Sequence, residues 1–162
     1  MSRKFVDNAG NTWAVKLDVW TIKRVRDVLD VDLLDLGDPD QPVKDQLLIR
    51  LVSDPVLLVD VLYVILQPAA ESANVTDEDF GRAMAGDSID LATKVLLEEL
   101  TDFIPNPRDR TRARKVIAGA WELIDAAQDV LDRQAETGLA KVMETLTETP
   151  GDSSTSSPAE SG

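Results

Sequence analysis

The chain has 162 residues, 43% apolar but only 4% aromatic, and its 30 acidic and 17 basic residues leave a formal net charge of −13. It contains no cysteine and no histidine. Those absences exclude disulfides, thiolate metal sites and cysteine nucleophiles, and remove the commonest general base and transition-metal ligand. So acidic a surface repels nucleic acid and anionic membranes unless positive charge is gathered locally, so neither is expected as a partner.

The length suits one domain with a real core. The N-terminus has no apolar segment suited to a signal peptide. The most apolar run, "PVLLVDVLYVIL" at 55–66, is too short to cross a bilayer and carries Asp60. A cytoplasmic protein is expected.

Residues 3–18 predict a β-hairpin. "RKFV" and "TWAVKLDV" flank "DNAGN", whose Asn and Gly residues tolerate the positive φ of tight turns. Trp13, Val15 and Leu17 alternate with Ala14 and Lys16, giving one apolar face. A lone hairpin is marginal in water, so this one must pack on helices or join another sheet.

Asp18 caps a helix over "VWTIKRVRDVLD", with Ile22, Val25 and Leu29 on its core side. A short helical turn in "VDLLDLGDPDQP" is halted by Gly37 and Pro39, and Pro42 opens another short helix. Ser53 or Asp54 caps a helix over about 55–66, apolar nearly all round, which suits the centre of a bundle. Only Ser53, Asp60, Tyr63 and Gln67 break its pattern; Pro68 is expected to end it and "AAESAN" to form a loop.

Thr76 and Asp79 have capping-box spacing before a short helix through "EDFGRAMA". A longer helix follows Gly86, with Ile89, Ala92, Leu96, Leu100 and Phe103 inward and Asp90, Lys94 and Glu98 outward, stopped by "PNP". The last helix begins near Pro107 and extends toward or past residue 140. Its expected buried stripe is Ile117, Ala120, Trp121, Ile124 and Leu131, with Gly138 a weak point. From Pro150 the Ser, Thr, Pro, Gly and acidic composition cannot offset its own ordering entropy.

The fold expected is therefore mainly α, a bundle of five to six helices with a short N-terminal β-hairpin and a disordered C-terminal tail. Its divisions are 1–18 for the hairpin packed on the helices, 19–146 for the helical domain and 147–162 for the tail.

Two acidic clusters raise the possibility of a metal site: Asp35, Asp38 and Asp40, and Asp77, Asp79 and Asp87. Neither has the oxygen-ligand spacing of an EF-hand loop, and the second group sits at helix starts, where carboxylates complement the macrodipole. Asp60, among apolar neighbours, reads either as a carboxylate held in a pocket or as part of a solvent stripe with Tyr63 and Gln67, the second being favoured. The isolated glycines match no phosphate-binding loop. No metal, no cofactor and no enzymatic activity are expected.

Two features point instead to protein partners. "RDRTRARK" places Arg108, Arg110, Arg112, Arg114 and Lys115 in the first turns of the last helix, against the macrodipole preference. Internal pairing with surplus acids and an interface gripping carboxylates explain this about equally well. Beyond the densest core pattern, Leu139, Val142, Met143 and Leu146 repeat helical spacing. They either fold back or fray, or form a docking face for a partner helix.

Taken together, "WTIKRVRDVLDVDLLDL", "DPVLLVDVLYVILQP", "VTDEDFGRAMAGDSIDLATKVLLEELTDFIP" and "PRDRTRARK" resemble the tail assembly chaperones of long-tailed phages and prophages. The resemblance spans about residues 13–118. It implies a non-enzymatic helical protein of the bacterial host cytoplasm that coats the tape-measure protein and helps to recruit tail-tube subunits. Self-association is expected as well. The alternative is a structural virion component, a tube terminator or connector whose hairpin adds strands to a ring. The resemblance transfers no binding residues, so the basic cluster and the terminal stripe rest on charge and periodicity.

Overall fold

Alternation of apolar and polar residues forms the first two elements, β1 (Arg3–Val6) and β2 (Thr12–Val15), which pair antiparallel with Phe5 opposite Trp13. They belong to a computed structural model that describes residues 2–35, 40, 42 and 45–147. Phe5, Trp13 and Val15 are buried, while Lys4, Ala14 and Lys16 face water. Gly10 supplies the positive φ of 89° in the connecting turn.

The turn is organised by Asp7. Its Oδ1 accepts from the backbone N–H groups of Ala9 and Asn11, both at 2.9 Å. Its Oδ2 accepts from Asn11 Nδ2 at 3.1 Å and from the indole of Trp13 at 2.8 Å. The carboxylate is only 4% exposed. Burial alone would raise its pKa, and the hydrogen bonds from Trp13, Asn11 and Ala9 more than reverse this, leaving it below the ordinary value.

Six helices follow among the described residues: α1 (Val19–Leu29), α2 (Leu47–Ser53), α3 (Pro55–Ser72), α4 (Asp77–Ala83), α5 (Asp87–Phe103) and α6 (Pro107–Thr147). The protein is mainly helical, with the N-terminal hairpin expected from its sequence. The expected caps form: Asp18 accepts from Thr21 N, Asp54 from Val56 N and Leu57 N, and Thr76 and Asp79 close a reciprocal capping box. The tail from Pro150, with Gly37, Asp38 and Pro39, lies outside the described residues.

The residues group into two compact units, Met1–Trp121 and Glu122–Gly162. In the first, α3 packs against α1, α2, α4, α5 and β2, and so lies at the centre. Leu58, Val61 and Leu62 of α3 are fully buried, as are Leu51 of α2, Phe80 of α4 and Leu96 of α5. Phe80 meets Trp13 edge-on at 5.4 Å between ring centroids and Tyr63 at 5.8 Å.

Four expectations are corrected here. First, α3 does not stop at Pro68 but runs on through most of "AAESAN" to Ser72. A helical proline removes the N–H that would reach the carbonyl four residues back, and its ring crowds that turn. The orphaned carbonyl is that of Val64, and the packing of α3 against α1, α2, α4, α5 and β2 offsets its loss. Nearby, Arg24 Nη2 donates to the Ile65 carbonyl at 3.1 Å and Ser72 Oγ to the Pro68 carbonyl at 2.9 Å. At 18 residues α3 has the length and apolarity of a membrane crossing, yet its largest side chains are spent on the core. Second, α2 begins at Leu47 rather than at Pro42.

Third, Leu131 is 62% exposed and so is not part of a buried stripe; Ala113 and Ala120 are the buried residues of α6. Periodicity defines a face and says nothing of what covers it. Fourth, Ser53 belongs to α2, where its hydroxyl donates back to the Ile49 carbonyl. The weak point expected at Gly138 does not interrupt α6, which passes through it.

Candidate functional site

The basic stretch opens α6. Asn106 caps it, its side-chain oxygen accepting from Arg108 N at 2.9 Å and its carbonyl from Arg110 N at 3.0 Å. At about 100° per residue the five cations do not form one patch. Arg108, Arg112 and Lys115 fall on one face at i, i+4 and i+7, all exposed, whereas Arg110 and Arg114 lie on another.

Arg114 is drawn into a charge cluster within the first unit. Its guanidinium lies 3.6 Å from Asp102, which is also 2.9 Å from Arg3. Arg3 further reaches Glu98 at 2.8 Å and Glu99 at 3.2 Å, and its backbone N–H donates to Glu99 at 3.0 Å. Hydrogen bonding to Asp102, reinforced by the neighbouring carboxylates against some desolvation, holds the Arg3 guanidinium above its ordinary pKa. The two explanations of the cluster therefore divide by residue. Arg114 pairs internally, while Arg108, Arg110 and Lys115 carry no ion pair among the described residues.

Between α5 and the first turns of α6 lies a cleft of about 420 Å³, walled by Leu97, Ile117 and Trp121 and edged by Arg3, Lys94 and Asp102. Lys94 Nζ sits 5.7 Å from the centre of the Trp121 ring. Trp121 packs against the core and Lys94 is exposed, as their helical spacing predicts; their contact across α5 and α6 is what spacing does not show. The seven-residue spacing of Arg114 and Trp121 was a legible sign that they share a face.

The terminal stripe lies in the second unit. Leu139 is 62% exposed, Val142 55%, Met143 58% and Leu146 70%. Leu123, Val130 and Leu131 are exposed too. The segment is helical throughout its described length.

Asp79 is held below its ordinary pKa by hydrogen bonds from Thr76. Asp60 is exposed on the outer face of α3, and partial desolvation with repulsion from Asp77 and Asp54 raises its carboxyl. Asp38 lies outside the described residues; among those described, no group of three or more acidic side chains is placed to hold a metal ion. No family model, no curated protein and no solved structure matches this chain.

Proposed function

We propose that this protein is a non-enzymatic tail assembly chaperone of a long-tailed phage or prophage, which binds the tape-measure protein and helps to recruit tail-tube subunits to it. The observation that carries the reading is the row of large apolar side chains left exposed on a fully helical segment. A continuous apolar helical face is costly to leave in water and suits a long, largely helical client. The resemblance spanning residues 13–118 supplies the family, and the Arg108, Arg112 and Lys115 face offers a second contact for an acidic stretch of client.

The alternative reading, a terminator or connector whose hairpin extends a ring of strands, draws less support. On the β1 edge strand addition is opposed, because β1 packs on α5 with its Arg3 N–H already donating to Glu99, so an added strand would have to join at β2.

The test is affinity capture from a prophage-induced host lysate with mass-spectrometric identification, using full-length protein beside a truncation after Arg133. The expected result is a long tape-measure-like protein held by the full chain and lost by the truncation. Capture by both would keep the chaperone and remove 134–147 from its site. Recovery of tube or connector proteins without a tape-measure protein would refute the chaperone reading. Reversing charge at Arg108 and Lys115, which share the exposed face and carry no ion pair among the described residues, should weaken capture while helicity is kept.

A further inference from the structure

The apolar row on 122–147 is broader than four residues. At about 100° per residue, Ile124, Leu131, Ala135, Leu139, Val142 and Leu146 fall within an arc of about 80°. Their spacings stay close to 3.6 residues per turn, so the stripe runs straight along a segment about 39 Å long. On one flank stand Asp125, Asp129, Asp132 and Glu136, a row of carboxylates at spacings of 4, 3 and 4. The opposite flank holds Leu123, Val130 and Lys141. The whole segment carries six acidic and two basic residues.

This asymmetry selects the occupant. Two copies paired antiparallel would set each acidic flank against its own counterpart. Paired parallel, each acidic row would meet the other flank, where Lys141 is the single cation. Either way the carboxylates lack positive partners, in a chain of net charge −13. An anionic membrane surface is repelled for the same reason. We infer that the exposed face of 122–147 docks an amphipathic helix of another protein, one whose apolar stripe is bordered by a row of lysines or arginines. The apolar faces supply the contact, and the Asp125, Asp129, Asp132 and Glu136 row sets orientation and selects against acidic helices. The inference deepens the chaperone reading, on which it rests for the client's being helical.

Its test uses the purified full-length protein and three synthetic helical peptides of about 28 residues. One has a leucine stripe bordered by lysines, the second the same stripe bordered by glutamates, and the third the lysine peptide in scrambled order. The lysine-bordered peptide should bind at least about tenfold more tightly than the other two at low salt. Its advantage over the glutamate peptide should shrink as salt rises. The double variant Leu131→Asp with Leu139→Asp should weaken that binding about tenfold or more, its far-ultraviolet spectrum and urea midpoint unchanged. Equal affinity for the lysine- and glutamate-bordered peptides would overturn the inference, as would equal binding of the scrambled one. A dimer that sediments in the wild type and dissociates in the double variant would instead make a second copy the occupant. Peptide selectivity without tape-measure capture leaves this inference standing and removes the chaperone; capture that survives the double variant does the reverse.

Discussion

Replacing Asp7 by Asn tests whether the hairpin turn is held by charge or merely by shape. The two side chains are isosteric, but the Asp7 carboxylate accepts four hydrogen bonds and has no proton to donate. In the variant, the amide oxygen can keep the pair from Ala9 N and Asn11 N. Its NH₂ then points at two donors, Trp13 Nε1 and Asn11 Nδ2; rotating the amide only exchanges which pair is lost. The indole is buried within a residue 3% exposed and has no water to turn to. Hydrogen bonds to a charged group contribute about 1.5–3 kcal/mol each, and a stranded buried donor costs about 1–3 kcal/mol. Asp7→Asn should therefore destabilise the fold by about 2–4 kcal/mol at neutral pH, read from urea unfolding followed by circular dichroism. The pH dependence has a definite sign. The folded-state pKa is depressed, so this stabilisation is complete above the ordinary carboxylate value of about 3.9 and is lost as pH falls through the folded value. The gap between wild type and variant should be flat from about pH 5 to 8 and narrow below about pH 4. A loss under about 0.5 kcal/mol, or a gap that persists unchanged in acid, would refute the reasoning.

Two further substitutions probe the scaffold. Gly86 adopts φ 56° and ψ −126° before α5, and a Cβ there would meet nothing within 4 Å. Gly86→Ala should thus cost about 1–3 kcal/mol from backbone conformation alone, and a neutral urea midpoint would contradict that. Phe80→Ala removes a fully buried ring from between Trp13 and Tyr63 and should cost about 3–5 kcal/mol, checked by the same unfolding curve with an unchanged denaturant slope.

Much of the scaffold was legible because its signals are local. Asp18, Asp54 and the Thr76–Asp79 pair satisfy backbone donors within three residues of themselves, so their caps need no tertiary context. The hairpin likewise follows from alternation around "DNAGN", and the central place of α3 from a helix with almost no polar face. What failed depended on distant groups. Pro68 marks a helix end by local rules, and α3 passes through it while packed against α1, α2, α4, α5 and β2, contacts made by residues distant in sequence. Arg114 looked like one member of a basic patch until Asp102 and Arg3 came within reach of it.

The sequence by itself determined that α6 has an apolar face, because helical periodicity is a property of neighbouring residues. Only the tertiary structure decided that Ala113 and Ala120 on that helix are buried while Leu131, Leu139 and Val142 remain exposed. Whether an apolar residue is covered depends on which surfaces the rest of the chain brings to it, and that is a sum over long-range contacts that spacing does not contain.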